Sequence, residues 1–394
     1  MNAIKKQRIQ SIDLLRGIIM VIMALDHSRD FFHLKANIED PLSMATTTPF
    51  LFFTRWITHL CAPIFVFLSG LSAWLQSGRK TKPELSRFLI TRGIWLILVD
   101  LIIITFGTTG DIHFSYFILQ TLWAIGISMA ILGVMIWLPF PAILFIGLLI
   151  VVGHNTIDFA EATHKSAYPL WWMFLHKQGD IPLWVGHRLF IFYPFLSWSG
   201  LMMLGYCSGK IFTNYEPPQR NKILLRMGLG LLAFFVVLRF VNVYGDNQPW
   251  SQQKNALYSG LSFMNVQKYP PSLLYMCATI GIGLIFLVLV KNTNGRLAKI
   301  FIVYGRVPMF YYIIHFYVLN VISISLYLSR GHTVAEGLKG IPGLPWKFLK
   351  PGEGYALWVA YAIWFSVVIA LYPLCKWYDQ YKSSYPEKKW LSYL

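Results

Sequence analysis

The residues able to do chemistry gather in the first apolar segment, SIDLLRGIIMVIMALDHSRDFFH, which holds Asp13, Arg16, Asp26, His27, Arg29 and Asp30. His27 is the natural proton acceptor among them, since imidazole titrates near neutrality without perturbation. Asp30 at i+3 is placed to hydrogen-bond the ring and fix its tautomer. Asp26 is spaced to pair with Arg29, and Asp13 with Arg16. His27, Asp26 and Asp30 are therefore the expected catalytic set. Arg16 and His27 are eleven residues apart, within about 20° of whole helical turns and roughly 16 Å along the axis. They share a face at different depths, with Arg16 nearer the cytoplasmic mouth.

Other ionisable residues interrupt later apolar segments, each at a cost of about 2.5–3.5 kcal/mol at the centre of a spanning helix. Arg55 and His59 lie at i, i+4 in TTTPFLFFTRWITHLCAPIFVFLSGLSAW, Asp100 lies in the third segment and His315 in the ninth. Counted from the ends nearest Arg16, His27, His59, Asp100 and His315 fall at similar depth. Depth says nothing of lateral closeness; His59 and Asp100 alone are equally well explained as polar contacts between helices, whereas for His27 the functional reading is favoured. Arg87 and Arg92 in SRFLITRGIW stand where guanidinium groups would clamp phosphates. Arg79, Lys80 and Lys82 before them read as a topology signal touching anionic lipid.

These residues sit in a chain of 394 residues with 56% hydrophobic residues, 13% charged residues and a mean hydropathy of +0.53. Soluble domains carry about a quarter charged residues. The apolar residues form blocks of about 20, the length that crosses a hydrocarbon core of roughly 30 Å. The expected fold is all-α, a polytopic bundle of about ten helices near 12–34, 50–75, 88–107, 114–137, 140–153, 190–210, 223–241, 271–290, 300–326 and 355–375. The aromatic-rich stretch 168–189 is expected to lie at the interface or re-enter the membrane. Lys and Arg concentrate in the short segments on one side, which places both termini in the cytoplasm. The whole of 1–394 then reads as a single membrane domain with tails 1–11 and 376–394.

The same asymmetry explains the net charge of +17 without nucleic acid, for which no binding motif is present. Cys61, Cys207, Cys277 and Cys375 form no CxxC pair, and His154, His164, His176 and His187 lack metal-ligand spacing, so no metal is expected. Gly228-x-Gly230, Gly281-x-Gly283 and Gly205-x-x-x-Gly209 lie within apolar helices and read as packing positions.

SIDLLRGIIMVIMALDHSRDFF, TTTPFLFFTRWITHLCAPIFVFLSG, FYPFLSWSGLMMLGYCSGK, KYPPSLLYMCATIGIG and YGRVPMFYYIIHFYVL resemble successive blocks of the bacterial branch of the heparan-α-glucosaminide N-acetyltransferase family. The Arg16-x10-His27 pattern is also similar to that of the wider transmembrane acyltransferase superfamily. The resemblance implies a bacterial inner-membrane enzyme that moves an acetyl or other acyl group from cytoplasmic acyl-CoA, its cosubstrate, to an amine or hydroxyl of a sugar-like acceptor outside. His27 matches the superfamily's essential histidine, Arg16 its partner arginine, and Arg87 and Arg92 the basic residues at the inner end of the third helix. The lysosomal enzyme's proposed histidine lies in the following loop, where His33 is nearest; His27 is the preferred equivalent. Without the resemblance, a proton-coupled secondary transporter of an anionic or sugar-like solute fits the same charges comparably. The oligomeric state, a homodimer included, is left open.

Overall fold

The computed structural model describes residues 9–36, 38–163, 167–290 and 293–392. The basic tail residues Lys5, Lys6 and Arg8, together with His164, Lys165 and Lys291, lie outside the described residues. Helices stand at all ten expected positions: α1 (Gln10–Phe32), α2 (Pro49–Ser77), α3 (Lys82–Thr109), α4 (Thr121–Met135), α5 (Phe140–Gly153), followed by the short α6 (Thr156–Thr163) and α7 (Leu170–Leu175), then α8 (Leu196–Asn214), α9 (Pro217–Val241), the short α10 (Ala256–Met264), α11 (Leu273–Leu289), α12 (Arg296–Arg306), α13 (Pro308–Ser329), the short α14 (Val334–Lys339) and α15 (Leu357–Ser384). Among the described residues, α2, α3, α9, α13 and α15 are long and apolar enough to cross a membrane, and α5 with α6, bent by 41°, would make a sixth. The charges of α1 keep it out of that group, and α4 and α11 are short.

The expectation of an all-α fold needs one correction. Residues Tyr116–Leu119 (β1), Gly179–Trp184 (β2) and His187–Ile191 (β3) form a small sheet in the order β1-β3-β2. β1 runs parallel to β3 in the register Ile118↔Phe190, and β2 is antiparallel to it with a bulge near Pro182. The segments 114–137 and 190–210 thus begin as strands, and their helices start at Thr121 and Leu196. Apolarity alone does not separate a short buried strand from the first turn of a helix. The ninth segment is also divided, at Val307, because Pro308 has no N–H to continue the ladder of α12.

Proline shapes α2 as well. Pro63 has no N–H for the carbonyl of His59 four residues earlier, and that carbonyl instead accepts the Tyr275 hydroxyl of α11 at 2.8 Å. A tight 3-10 turn at Thr58–Leu60 accommodates the change and fixes His59 inside the bundle.

Four helix pairs are held by reciprocal glycine contacts. A Cβ at Gly17 would overlap the Phe301 carbonyl, and one at Gly305 the Asp13 carbonyl, joining α1 to α12. Gly70 and Gly205 do the same for α2 and α8, Gly93 and Gly126 for α3 and α4, and Gly228 and Gly281 for α9 and α11. Small residues let backbones approach where hydrophobic burial gives no drive to associate. The outward faces are apolar: Phe145 and Leu149 on α5, Val237 and Phe240 on α9, and Phe365 and Ile369 on α15 are exposed. Gly205→Val is expected to lower the unfolding midpoint in detergent, at a cost of about 1–3 kcal/mol for overpacking. Gly230→Ala, with nothing within 4 Å of the new methyl, should leave the midpoint unchanged or raise it.

Candidate active site

α1 and α13 bring the two expected histidines together. His27 Nδ1 lies 2.7 Å from His315 Nε2. His315 Nδ1 faces the Tyr311 carbonyl at 3.0 Å and must donate to it, because a carbonyl only accepts. A neutral His315 therefore carries its lone pair on Nε2, and His27 must donate to it from Nδ1. That hydrogen-bond chain assigns the lone pair of His27 to Nε2. Phe316 stacks on the His27 ring at a centroid distance of 4.2 Å, and Tyr312 meets it edge-on at 6.4 Å. The ring is held by packing as well as by the hydrogen bond.

The carboxylates beside His27 are engaged elsewhere. Asp26 accepts from Arg29 at 3.0 Å and from Arg55 at 3.2 Å, and Asp30 also accepts from Arg29, at 2.5 Å. Arg55 donates further to the Thr58 hydroxyl at 2.8 Å. The expected i+3 pairs Asp26–Arg29 and Asp13–Arg16 (3.2 Å) are present. The expected orientation of His27 by Asp30 or Asp26 is replaced by the bond to His315, since a fixed guanidinium outcompetes a neutral imidazole for a buried carboxylate. His59 is buried one helix away, and neither of its ring nitrogens has a partner among the described residues.

Asp100 takes a different part. Residues Val99–Ile104 form a π-helical stretch that turns its carboxylate toward the start of α4, where Oδ2 accepts the N–H groups of Gln120 at 2.7 Å and Trp123 at 2.9 Å. Asp100 is the cap of α4 and does not join the histidine pair.

Two cavities share one lining residue, Thr121, in the turn that Asp100 caps. One, of about 100 Å³, is lined by His27, Asp26, Asp30, Thr121, Lys268 and Tyr269, among others. The other, of about 700 Å³, is lined by Arg16, Lys80, Arg92, Thr121, Arg306, Tyr312 and Lys382, with apolar walls from Met20, Phe65 and Leu122. Thr121 borders both, and Tyr312 stands between the larger cavity and His27. Arg16 donates to the Gly305 carbonyl and the Ser72 hydroxyl, both at 3.2 Å, which fixes its guanidinium at the cavity wall. Arg92 lies in this cavity, whereas Arg87 borders a shallower hollow with Arg79, Lys80 and Glu84. Sequence reasoning missed the cavity roles of Lys268, Arg306 and Lys382, which lie outside the helices' apolar centres and look like ordinary loop or boundary cations.

Long loops roof the smaller cavity. Arg239, buried at the end of α9, donates to the carbonyls of Gln248 (2.9 Å), Ser262 (3.0 Å), Phe263 (2.9 Å) and Asn265 (2.5 Å). Asp246 beside it accepts from the Ser272 hydroxyl and the Gln267 N–H, and burial pushes its carboxyl up from the ordinary value. On the other side Glu353 accepts from Lys350 and His332, both at 2.6 Å, which pulls its carboxyl down to about 2. No metal was expected from histidine spacing, yet Asp158, Glu161 and His176 offer ligand atoms within 4.8 Å of one another. Both Glu161 oxygens are already occupied, by Trp172 (2.8 Å) and His176 (3.0 Å) on one and Lys177 (3.1 Å) on the other.

The sequence matches the family model described as heparan-alpha-glucosaminide N-acetyltransferase, catalytic, over residues 8–238. A search of curated proteins finds no match. The family match, on a mostly helical chain with several apolar spans, defines the class as a transmembrane acetyltransferase family. With more than half its length matched, the chain belongs to the heparan-alpha-glucosaminide N-acetyltransferase catalytic-domain family and is an integral membrane protein.

Arg55→Met would leave the Asp26–Arg29–Asp30 group with a net buried negative charge. The expected loss is about 3 kcal/mol, at the low end for breaking a buried pair. Asp26→Asn added to Arg55→Met should recover part of it, as measured by unfolding in mixed micelles.

Proposed function

We propose that this protein is an acyl-CoA-dependent acyltransferase, with acyl-CoA in the larger cavity and an amine- or hydroxyl-bearing, sugar-like acceptor in the smaller one. The observation that carries this reading is the His27 imidazole, its Nε2 lone pair assigned by His315, beside the point where both cavities border Thr121. Arg16, Lys80, Arg92, Arg306 and Lys382 offer cations for the phosphates of CoA, and Arg87 adds one at the rim. The apolar walls suit the pantetheine arm, which would bring the thioester toward Thr121 and Tyr312.

In the reaction His27 Nε2 takes the proton of the acceptor as its oxygen or nitrogen bonds to the thioester carbonyl carbon. The tetrahedral adduct collapses with cleavage of the C–S bond, and the proton held by His27 passes to the departing CoA sulfur. A histidine that first takes the acyl group itself is the variant mechanism. The larger cavity faces the cytoplasm in this reading, with ten spanning helices, one membrane domain, both termini inside and residence in a bacterial inner membrane. The ten helical segments and the positive-inside asymmetry support that orientation.

Acetyl-CoA binding and thiol release test the proposal. Wild type is expected to bind acetyl-CoA, Arg92→Ala to bind it about tenfold more weakly, as loss of one charge-assisted contact implies, and His27→Ala to bind it without releasing CoA thiol. If none of the three binds acyl-CoA, the reading fails and proton-coupled transport takes its place. His315→Ala should lower the transfer rate by about 10²-fold, the scale of a well-placed general base, at unchanged acetyl-CoA affinity. His315→Gln, whose amide oxygen can accept from Nδ1, should recover part of the rate. The rate should fall as pH drops and His27 becomes protonated; a rate that rises toward acid removes the base role.

A further inference from the structure

The smaller cavity contains a cation that the acyl-transfer chemistry does not use. Lys268 lies in the loop ahead of α11, where its backbone bridges to Pro271, and is only 9% exposed. Its ammonium lies 5.0 Å from the Tyr269 ring centroid and 6.0 Å from that of Tyr193, and it lines the cavity that holds His27. Among the described residues no carboxylate lies within 4.0 Å of it and no hydrogen bond accepts from it. The neighbouring acid Asp26 is held by Arg29 and Arg55 instead. The buried arginines of this region have partners within the fold: Arg29 and Arg55 pair with carboxylates, and Arg239 donates to four carbonyls.

A charged amine that faces a cavity with no carboxylate beside it is placed to be completed by an anionic ligand. Two tyrosine rings hold the ammonium by cation–π attraction while leaving its N–H donors for an incoming anion. The same rings, with Phe192 packed on Tyr269 at 4.5 Å, give the cavity flat aromatic walls of the kind on which sugar faces stack. Arg239 and Asp246 brace the loop that presents Lys268, so its position is built into the fold.

We propose that Lys268 is an anion-recognising residue of the acceptor site, and that the acceptor carries an acidic group, a carboxylate or a phosphate, near the hydroxyl or amine to be acylated. This rests on the acyltransferase reading for the word acceptor, though the anion site itself can be tested without acyl-CoA. Lys268 holds the acid and His27 addresses the nucleophile, so one end of the molecule is fixed while the other reacts.

The test is equilibrium binding to the purified full chain in detergent, without acyl-CoA, using acid and parent pairs: glucuronate against glucose, and glucosamine 6-phosphate against glucosamine. At least one acid should bind wild type about tenfold or more tightly than its neutral parent, the scale of one charge-assisted contact. In Lys268→Met, and in Lys268→Gln should the first variant misfold, that preference should shrink to about twofold or less, with acetyl-CoA affinity unchanged as a check on folding. The two acids separate a carboxylate from a phosphate site. Equal binding of acids and parents by wild type overturns the proposal. So does an acid preference that survives loss of Lys268, which would assign it to the arginines of the larger cavity. So does a variant that keeps the preference and loses only the turnover rate, the mark of oxyanion stabilisation. If acids bind through Lys268 but acetyl-CoA binds no variant, the acyltransferase reading fails and the anion site stands.

Discussion

Two imidazole nitrogens 2.7 Å apart can hold only one proton between them, and much of the site depends on which ring supplies it. The Tyr311 carbonyl decides the matter by claiming the Nδ1–H of His315. Everything that sets the depth of His315 against His27 therefore bears on the chemistry. The crossing of α1 and α12 at Gly17 and Gly305 lies ten residues before His27 on one strand of chain and ten before His315 on the other. Equal offsets from a shared contact bring the two rings to the same level, with Pro308 opening α13 in between. A larger residue at either glycine would displace the rings relative to each other far from the chemistry itself.

The charges around the pair follow the same logic of enclosure. Arg29, Arg55, Asp26 and Asp30 balance to zero, and three of them are buried. In a medium of low polarity such a group is tolerable only as a closed set. It ties α1 to α2 and leaves His27 without a carboxylate partner. A neutral histidine as orienting group gives a weaker pull on the His27 proton than a carboxylate would, and keeps the site from gathering a further buried charge.

How much of this could be read in the sequence depends on range. The i+3 pairs Asp26–Arg29 and Asp13–Arg16 were legible, because helical spacing is local geometry. The common depth of His27 and His315 was legible from span ends, but their contact was not, since depth carries no lateral information. Asp30 was assigned to His27 because spacing cannot show that Arg29 would take it. The strands at Tyr116–Leu119 and His187–Ile191 were hidden within apolar runs, and Lys268 looked like one more loop lysine until the fold turned it inward. The family match covers His27, Arg16 and Arg92 but ends at residue 238. His315, which hydrogen-bonds His27, and Lys268 and Arg306, which line the smaller and the larger cavity, lie beyond it.

Asp100 shows how an intramembrane acid need not be a proton carrier. Its Oδ2 holds two backbone N–H groups at the first turn of α4, where the helix dipole also favours negative charge. The π-helical stretch that aims it is a local departure from the α ladder, of a kind that recurs near functional sites. Its effect is to fix Thr121, the residue common to both cavities, and to hold β1 and α4 around the smaller one. A protonation cycle at Asp100 would loosen the turn that separates the cavities each time it ran. The capped turn keeps a fixed partition between the two cavities, and in the proposed reaction that partition would hold two bound molecules apart except at the point of transfer.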